Sequence, residues 1–210
     1  ADVDAIDKAG NTPLHLATEF CDQIDYEPIA SVLLKHGARL NEATKYGTTP
    51  LHIAAELRYH EAAKFLLDRG ASIYVRSRED MTPAAYALKN GDLNLLKLFW
   101  NKGLDLNANI FQGMTALQIS SFWGKVDITR ELINRGIDIN SCQSNRDISN
   151  NVAWKGECVN VSALQIAARK GHTEVAALLL EHGAILCGGR QGGELSSPII
   201  EAAKNGHTLT

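Results

Sequence analysis

TTPLHIA, at residues 48–54, appears almost letter for letter a second time as NTPLHLA at 11–17. Weaker copies follow as MTPAAYA, MTALQIS, VSALQIA and SSPIIEA. Taking the Thr or Ser of each phrase as a marker gives Thr12, Thr49, Thr82, Thr115, Ser162 and Ser197, at steps of 37, 33, 33, 47 and 35 residues. A recurring step of 33 residues means one supersecondary unit copied along the chain.

Each copy carries the signals of a helical hairpin. In the second repeat Thr49 can cap a helix through its hydroxyl, and Pro50 occupies the first turn, where its missing N–H costs nothing. Leu51, Ile53, Ala54 and Ala55 are small or apolar and suit close packing. A second amphipathic run follows, with Ala62, Phe65, Leu66 and Leu67 set among Glu61, Lys64 and Asp68, and Gly70 ends it. The same ending recurs as LLKHGA at 33–38, LFWNKG at 98–103, LINRGI at 132–137 and LLEHGA at 179–184. Marker and closing glycine are 21 residues apart in repeats two to five and 25 apart in the first. The extra residues therefore fall between the helices of repeat one, in EFCDQIDYEP, where Pro28 is expected to open the second helix.

TPLHxA at this period, followed by LLxxGA, resembles the ankyrin repeat. The resemblance implies an all-α solenoid of helix-turn-helix units with projecting β-hairpin fingers, read as one domain over 1–210. Its expected pieces are a partial hairpin at 1–8, repeats at 9–41, 42–78, 79–111, 112–158 and 159–193, and a partial unit at 194–210. The fourth repeat is enlarged by an inserted finger at 142–158. The opening ADVDA resembles the hairpin after a missing helix pair, and GHTLT stops where another helix is due, so the sequence reads as a segment of a longer protein.

Helical hairpins of this kind do no chemistry, whereas a stack of them offers a long surface for binding. In the family that the sequence resembles, contacts come from the fingers and from the exposed end of each first helix. Carried over by position, the fingers supply Lys45, Tyr46, Arg76, Arg78, Glu79, Phe111, Gln112 and Met114. The helix ends supply Glu56 and Leu57, Lys89 and Asn90, Phe122 and Trp123, Arg169 and Lys170, and Lys204 and Asn205. Phe111, Met114, Phe122 and Trp123 stand at positions the framework does not require to be apolar. With Lys89, Arg169 and Lys170 nearby in the pattern, they read as an exposed aromatic anchor for a protein partner bearing an acidic and apolar patch. The alternative is that Phe122 and Trp123 pack beneath the enlarged finger. Trp154 is the candidate contact within that insertion, since long loops on repeat arrays often lie at a binding face.

Other chemistries fail on pattern. CGGRQGGE at 187–194 lacks the GxxxxGK[ST] spacing of a phosphate loop and reads as a fifth finger. His15 and His52 occupy the repeat's own histidine position, which in the family ties neighbouring repeats together. Ala85, Gln118, Gln165 and Ile200 replace that histidine, so the later repeats are expected to be less tightly coupled. No nucleophile elbow, zinc-binding HExxH or paired-carboxylate context occurs, so no catalytic residue, metal or cofactor is expected and the chain is not read as an enzyme. The acidic run Asp22, Asp25 and Glu27 is an ordinary solvated face or a contact for a basic partner.

Composition agrees with a globular fold: 45% of the 210 residues are hydrophobic and 21% charged, enough apolar surface for a core. A net charge of −3 gives no global attraction to nucleic acid, no apolar run reaches a bilayer span, and a small-molecule substrate is not expected. Cys21, Cys142, Cys158 and Cys187 are too few and too dispersed for a disulfide framework or zinc site, although a Cys142–Cys158 bridge across the insertion stays open. An intracellular location, cytoplasmic or nuclear, is the expectation.

Overall fold

A computed structural model describes residues 2–141 and 161–185, together with the backbone of two short strands at 190–191 and 194–195. The inserted finger with Trp154, Cys142 and Cys158, and the partial last unit from Ser196 onward, lie outside the described residues. Ten helices are described in all, and the chain divides into two compact units, Ala1–Leu104 and Asp105–Thr210.

The first unit holds α1 (Pro13–Glu19), α2 (Tyr26–Lys35), α3 (Pro50–Glu56), α4 (His60–Asp68), α5 (Pro83–Asn90) and α6 (Leu93–Asn101). Helices α1, α3 and α5 pack side by side as one layer, with α2, α4 and α6 forming the second. The second unit repeats the scheme with α7 (Ala116–Phe122), α8 (Val126–Asn134), α9 (Ala163–Lys170) and α10 (Thr173–Glu181), where α7 packs on α9 and α8 on α10. It also carries β1 (Arg190–Gln191), paired antiparallel with β2 (Glu194–Leu195).

Repetition follows from what each marker offset must do. Two residues past the marker stand Leu14, Leu51, Leu117 and Leu164, all fully buried. Five past it stand Ala17, Ala54, Ala87, Ser120 and Ala167, buried residues small enough to let helices approach closely. The hydroxyls of Thr82, Thr115 and Ser162 accept from the N–H three residues on, capping α5, α7 and α9. Thr12 and Thr49 instead place their hydroxyls 2.8 Å from a histidine Nδ1. Second helices end at glycines with positive φ, Gly70 at +88° among them, and a Cβ there would meet nothing, so conformation alone selects glycine.

Repeat one differs from expectation in detail. Its interhelix connection runs 20–25 where the next repeat's runs 57–59, as the spacing predicts, but α2 begins at Tyr26, two residues before Pro28. Tyr26 lies edge-on to Phe65 of α4 with ring centroids 5.5 Å apart, which anchors the early start.

Histidine and glutamine do one job. The Thr49 N–H donates to His52 Nδ1 (3.1 Å), which fixes the proton on Nε2, and Nε2 donates to the Met81 carbonyl of the next repeat (3.0 Å). His15 does the same between Thr12 and the Thr48 carbonyl. Gln118 copies the arrangement: its Oε1 accepts from the Thr115 N–H (2.9 Å), and its Nε2 donates to the Val161 carbonyl (2.7 Å). The expectation that losing histidine loosens the later repeats is therefore corrected at Gln118, because an amide presents the same acceptor and donor. Gln165 accepts from the Ser162 N–H in the same way. Only Ala85 offers no polar atom among these described positions.

Candidate partner-binding face

In the first unit the fingers are tight turns stacked through their backbones. Thr44 N–H donates to the Thr48 carbonyl and Gly47 N–H to Thr44, closing one turn; Ser77 and Asp80 close the next in the same way with Met81 and Ser77. Lys45 N–H reaches the Ala9 carbonyl, and Arg78 N–H reaches the Tyr46 carbonyl (2.9 Å), so each finger is tied to its neighbour. Gly47, at φ +74°, sits so close to the next finger that a Cβ would lie 3.1 Å from the Arg78 nitrogen and Ser77 Cα.

This framework presents several of the anticipated residues. Tyr46 is 65% exposed at its fingertip. Arg78 is exposed, and Arg76 is held by an ion pair with Asp80 (2.9 Å). At the helix ends, Lys89 is exposed, with its ammonium 5.9 Å from the centre of the Tyr86 ring. Asn90 donates to the Glu56 carbonyl (2.9 Å), linking the ends of α3 and α5. Behind them, Asp92 is a buried carboxylate held by Arg58 Nε (3.1 Å), His60 Nε2 (2.8 Å) and the Leu95 N–H (3.1 Å). Although burial works against it, bonds from His60, Leu95 and Arg58 keep its pKa below the usual carboxylate value.

Position alone did not single out Leu16 and Phe20. They are 37% and 44% exposed, although their neighbours Leu14, His15, Ala17 and Thr18 are buried. One turn apart on α1, they share a face, and Ile53 and the 43% exposed Leu57 hold the same offsets in the second repeat. The signal available in the sequence was that Phe20 and Leu57 both stand eight residues past their markers.

In the second unit the anticipated aromatic group forms, but not as an exposed patch. Phe111 is 9% and Met114 only 4% exposed, correcting the expectation that both are presented to a partner. The cause is the turn between them: Gln112 and Gly113 take positive φ, the Ile110 N–H donates to the Met114 carbonyl, and Phe111 bridges Met114, which folds both side chains onto the unit's core. Phe122 and Trp123 are half-buried. Trp123 stacks on Phe111 with centroids 5.5 Å apart and meets Phe122 edge-on at 5.4 Å. The Lys170 ammonium lies 4.2 Å from the Phe122 ring centre, and partial burial, then the charge of Arg169, holds its pKa below the usual lysine value. The Phe122 carbonyl lies 3.1 Å from His172 Nε2.

Among the described residues no group of His, Cys, Asp and Glu could hold a metal ion, and no helix is long and apolar enough to cross a membrane.

The molecule is thus built of paired-helix repeats that carry varied side chains on a fixed frame. A family profile described as Ankyrin repeats (3 copies) matches residues 1–77 and 73–143, and the single Ankyrin repeat profile matches 160–187. The chain belongs to the ankyrin repeat family, whose members are generally non-catalytic protein–protein interaction modules. It is 43% identical over 53 residues to Ankyrin repeat domain-containing protein 53 of Mus musculus, a match of 25% of this chain and 11% of that one. It is 44% identical over 61 residues to Protein fem-1 homolog CG6966 of Drosophila melanogaster, covering 29% and 9% respectively. The chain thus matches about a tenth of the length of these relatives. Its fold is similar to the crystal structure of the human ASB11 ankyrin repeat domain, with a TM-score of 0.72 at 22% identity, covering 96% of this chain and 81% of that one.

Proposed function

We propose that the chain binds a protein partner through its fingers and first-helix ends and performs no catalysis there. The observation that carries this reading is the ordered group of Phe111, Trp123, Phe122 and Lys170. Its half-buried rings are already fixed against one another, so covering them desolvates aromatic area with little further loss of side-chain freedom. Arg169 and Lys170 add positive charge at its edge, which suits a partner with an acidic and apolar patch. Trp123 and Phe122 are the contact surface in this reading, and Phe111 and Met114 are the floor beneath it.

The test is quantitative affinity capture from native-cell lysate, comparing the parent chain with a Trp123→Ala/Arg169→Ala variant whose circular dichroism shows it folded. A protein enriched by the parent and reduced roughly tenfold or more with the variant supports the reading, since truncating a hot-spot aromatic costs ~2 kcal/mol. Equal enrichment by both removes the aromatic group from the interface. A second reading follows from the length of the matched relatives: the segment targets or regulates a larger enzyme, channel or toxin. Capture of an activity-bearing polypeptide containing this sequence favours that reading.

A further inference from the structure

The first unit carries a surface of different chemistry. Leu16, Phe20, Ile53 and Leu57 form a two-by-two apolar grid on the adjacent helices α1 and α3, with three of the four well exposed. The grid stops at α5, where the equivalent offsets hold the buried Tyr86 and the tethered Asn90. Beside it, Glu19 and Glu56 occupy one repeated offset, both exposed at helix C-terminal ends, where the backbone dipoles are also negative. The Asp22 carboxylate lies close enough to the Tyr59 hydroxyl to act on it electrostatically. After desolvation, the charge of Asp22 is the largest influence raising that phenol's pKa, and the Glu19 carboxylate adds to it, so the negative charge of both carboxylates reaches this point. Among the described residues Glu19, Glu56 and Asp22 form no ion pair, since the nearby Arg58 is committed to Asp92. The cations Lys45, Arg76 and Arg78 sit on the fingers at the other end of the first helices, about 10 Å away over seven residues of α3, and the cation at the next helix end, Lys89 of α5, lies 5.9 Å from the centre of the Tyr86 ring.

We infer that the α1–α3 helix-end surface of the first unit docks a basic, apolar peptide segment, with apolar side chains over Leu16, Phe20 and Leu57 and Lys or Arg against Glu19 and Glu56. The inference rests on the reading that first-helix ends bind partners. It adds that the first two repeats present a charge opposite to that of the last described one, for the same offsets hold Glu19 and Phe20, then Glu56 and Leu57, and finally Arg169 and Lys170, with Lys89 in the third repeat as the change of sign.

The probe is a fluorescein-labelled synthetic peptide of alternating Lys and Leu, with an alternating Glu and Leu peptide as counterpart, followed by fluorescence anisotropy on the whole chain. The Lys/Leu peptide is expected to bind and the Glu/Leu peptide not to. Glu19→Lys/Glu56→Lys should weaken binding about tenfold, and Phe20→Ser/Leu57→Ser by a similar factor. Glu27→Lys/Glu61→Lys makes the same change in net charge on the second helices and should leave affinity within about twofold. All variants alter exposed residues, and circular dichroism checks their folding. As an independent readout, the peptide should shift the NMR signals of Leu16, Phe20 and Leu57 and spare Ile29 and Val32 on α2. Absence of binding, equal loss in the Glu27/Glu61 control, or equal affinity for the Glu/Leu peptide overturns the inference. The Trp123→Ala/Arg169→Ala capture experiment is indifferent to these outcomes, so the two readings can fail separately.

Discussion

His52→Gln exchanges one repeat tie for the version that Gln118 already supplies. In the parent, His52 is fully buried, and desolvation pushes its pKa down to about 4 from an ordinary 6.5. The neutral ring is what the fold needs, because Nδ1 must accept the Thr49 N–H; a proton there would face that donor. Between pH 6.5 and 4 the unfolded chain therefore binds more protons at this site than the native one. Stability from the depressed value is complete above the unfolded pKa and declines as pH falls through that window. Linkage over those two values gives a loss of about 2 kcal/mol between pH 7 and pH 5, toward a limit of ~3 kcal/mol at lower pH. Glutamine can accept from Thr49 and donate to Met81 without titrating. His52→Gln should sit within about 1 kcal/mol of the parent at pH 7, yet be ~2 kcal/mol more stable relative to it at pH 5, roughly 4–8 °C in melting temperature. His52→Ala abandons both backbone partners and should lose ~2–4 kcal/mol already at pH 7. Urea denaturation followed by circular dichroism at pH 5, 6 and 7 measures all three. If the glutamine variant loses stability between pH 7 and 5 as steeply as the parent, the reasoning is wrong. Some acid sensitivity must remain, since desolvation lowers the pKa of His15 as well.

The reciprocal exchange, Gln118→His, should preserve stability at pH 7 and introduce a new loss on acidification, while Gln118→Ala should cost about 1–3 kcal/mol at any pH by stranding the Thr115 N–H and Val161 carbonyl; denaturation midpoints against pH read both. Gly47→Ala should cost ~2–3 kcal/mol in thermal unfolding, whereas Gly70→Ala should cost only ~1 kcal/mol, because both carry positive φ but only Gly47 abuts the next finger. Asp92→Ala should destabilise the first unit by about 2–4 kcal/mol and Asp92→Asn by roughly half of that, since asparagine can still accept from the Leu95 N–H while giving up the charge beside Arg58 and His60. Hydrogen exchange at Leu95 separates the two variants.

The architecture was readable because it depends on repetition: marker, buried leucine and closing glycine recur at fixed offsets, and one hairpin derived from TTPLHIA serves for all. The tie was half-readable. Its histidines announced themselves, but equivalence between imidazole and amide is a matter of where donor and acceptor project, and Gln118 looked like erosion until both bonds were seen. Phe111 and Met114 misled for a related reason. Whether a fingertip side chain is presented or folded back depends on the turn beneath it, and the positive φ at Gln112 is not a property that glutamine advertises.

What separates frame from function here is which offsets are relieved of packing. The second, third and fifth residues past the marker are consumed by the core and the tie, so selection there can only preserve volume and hydrogen bonds. The seventh and eighth are buried in no described repeat, and they vary without regard to the frame: Glu19 and Phe20, Glu56 and Leu57, Lys89 and Asn90, Phe122 and Trp123, Arg169 and Lys170. Where these side chains are exposed, as at Glu19, Phe20, Glu56, Leu57, Lys89 and Lys170, exchanging them shifts stability by only about ±0.5 kcal/mol, whereas Asn90, Phe122 and Trp123 also tie or cover the frame. Along these offsets the charge changes from Glu19 and Glu56 through Lys89 to Arg169 and Lys170, while the buried offsets beside them keep the same frame.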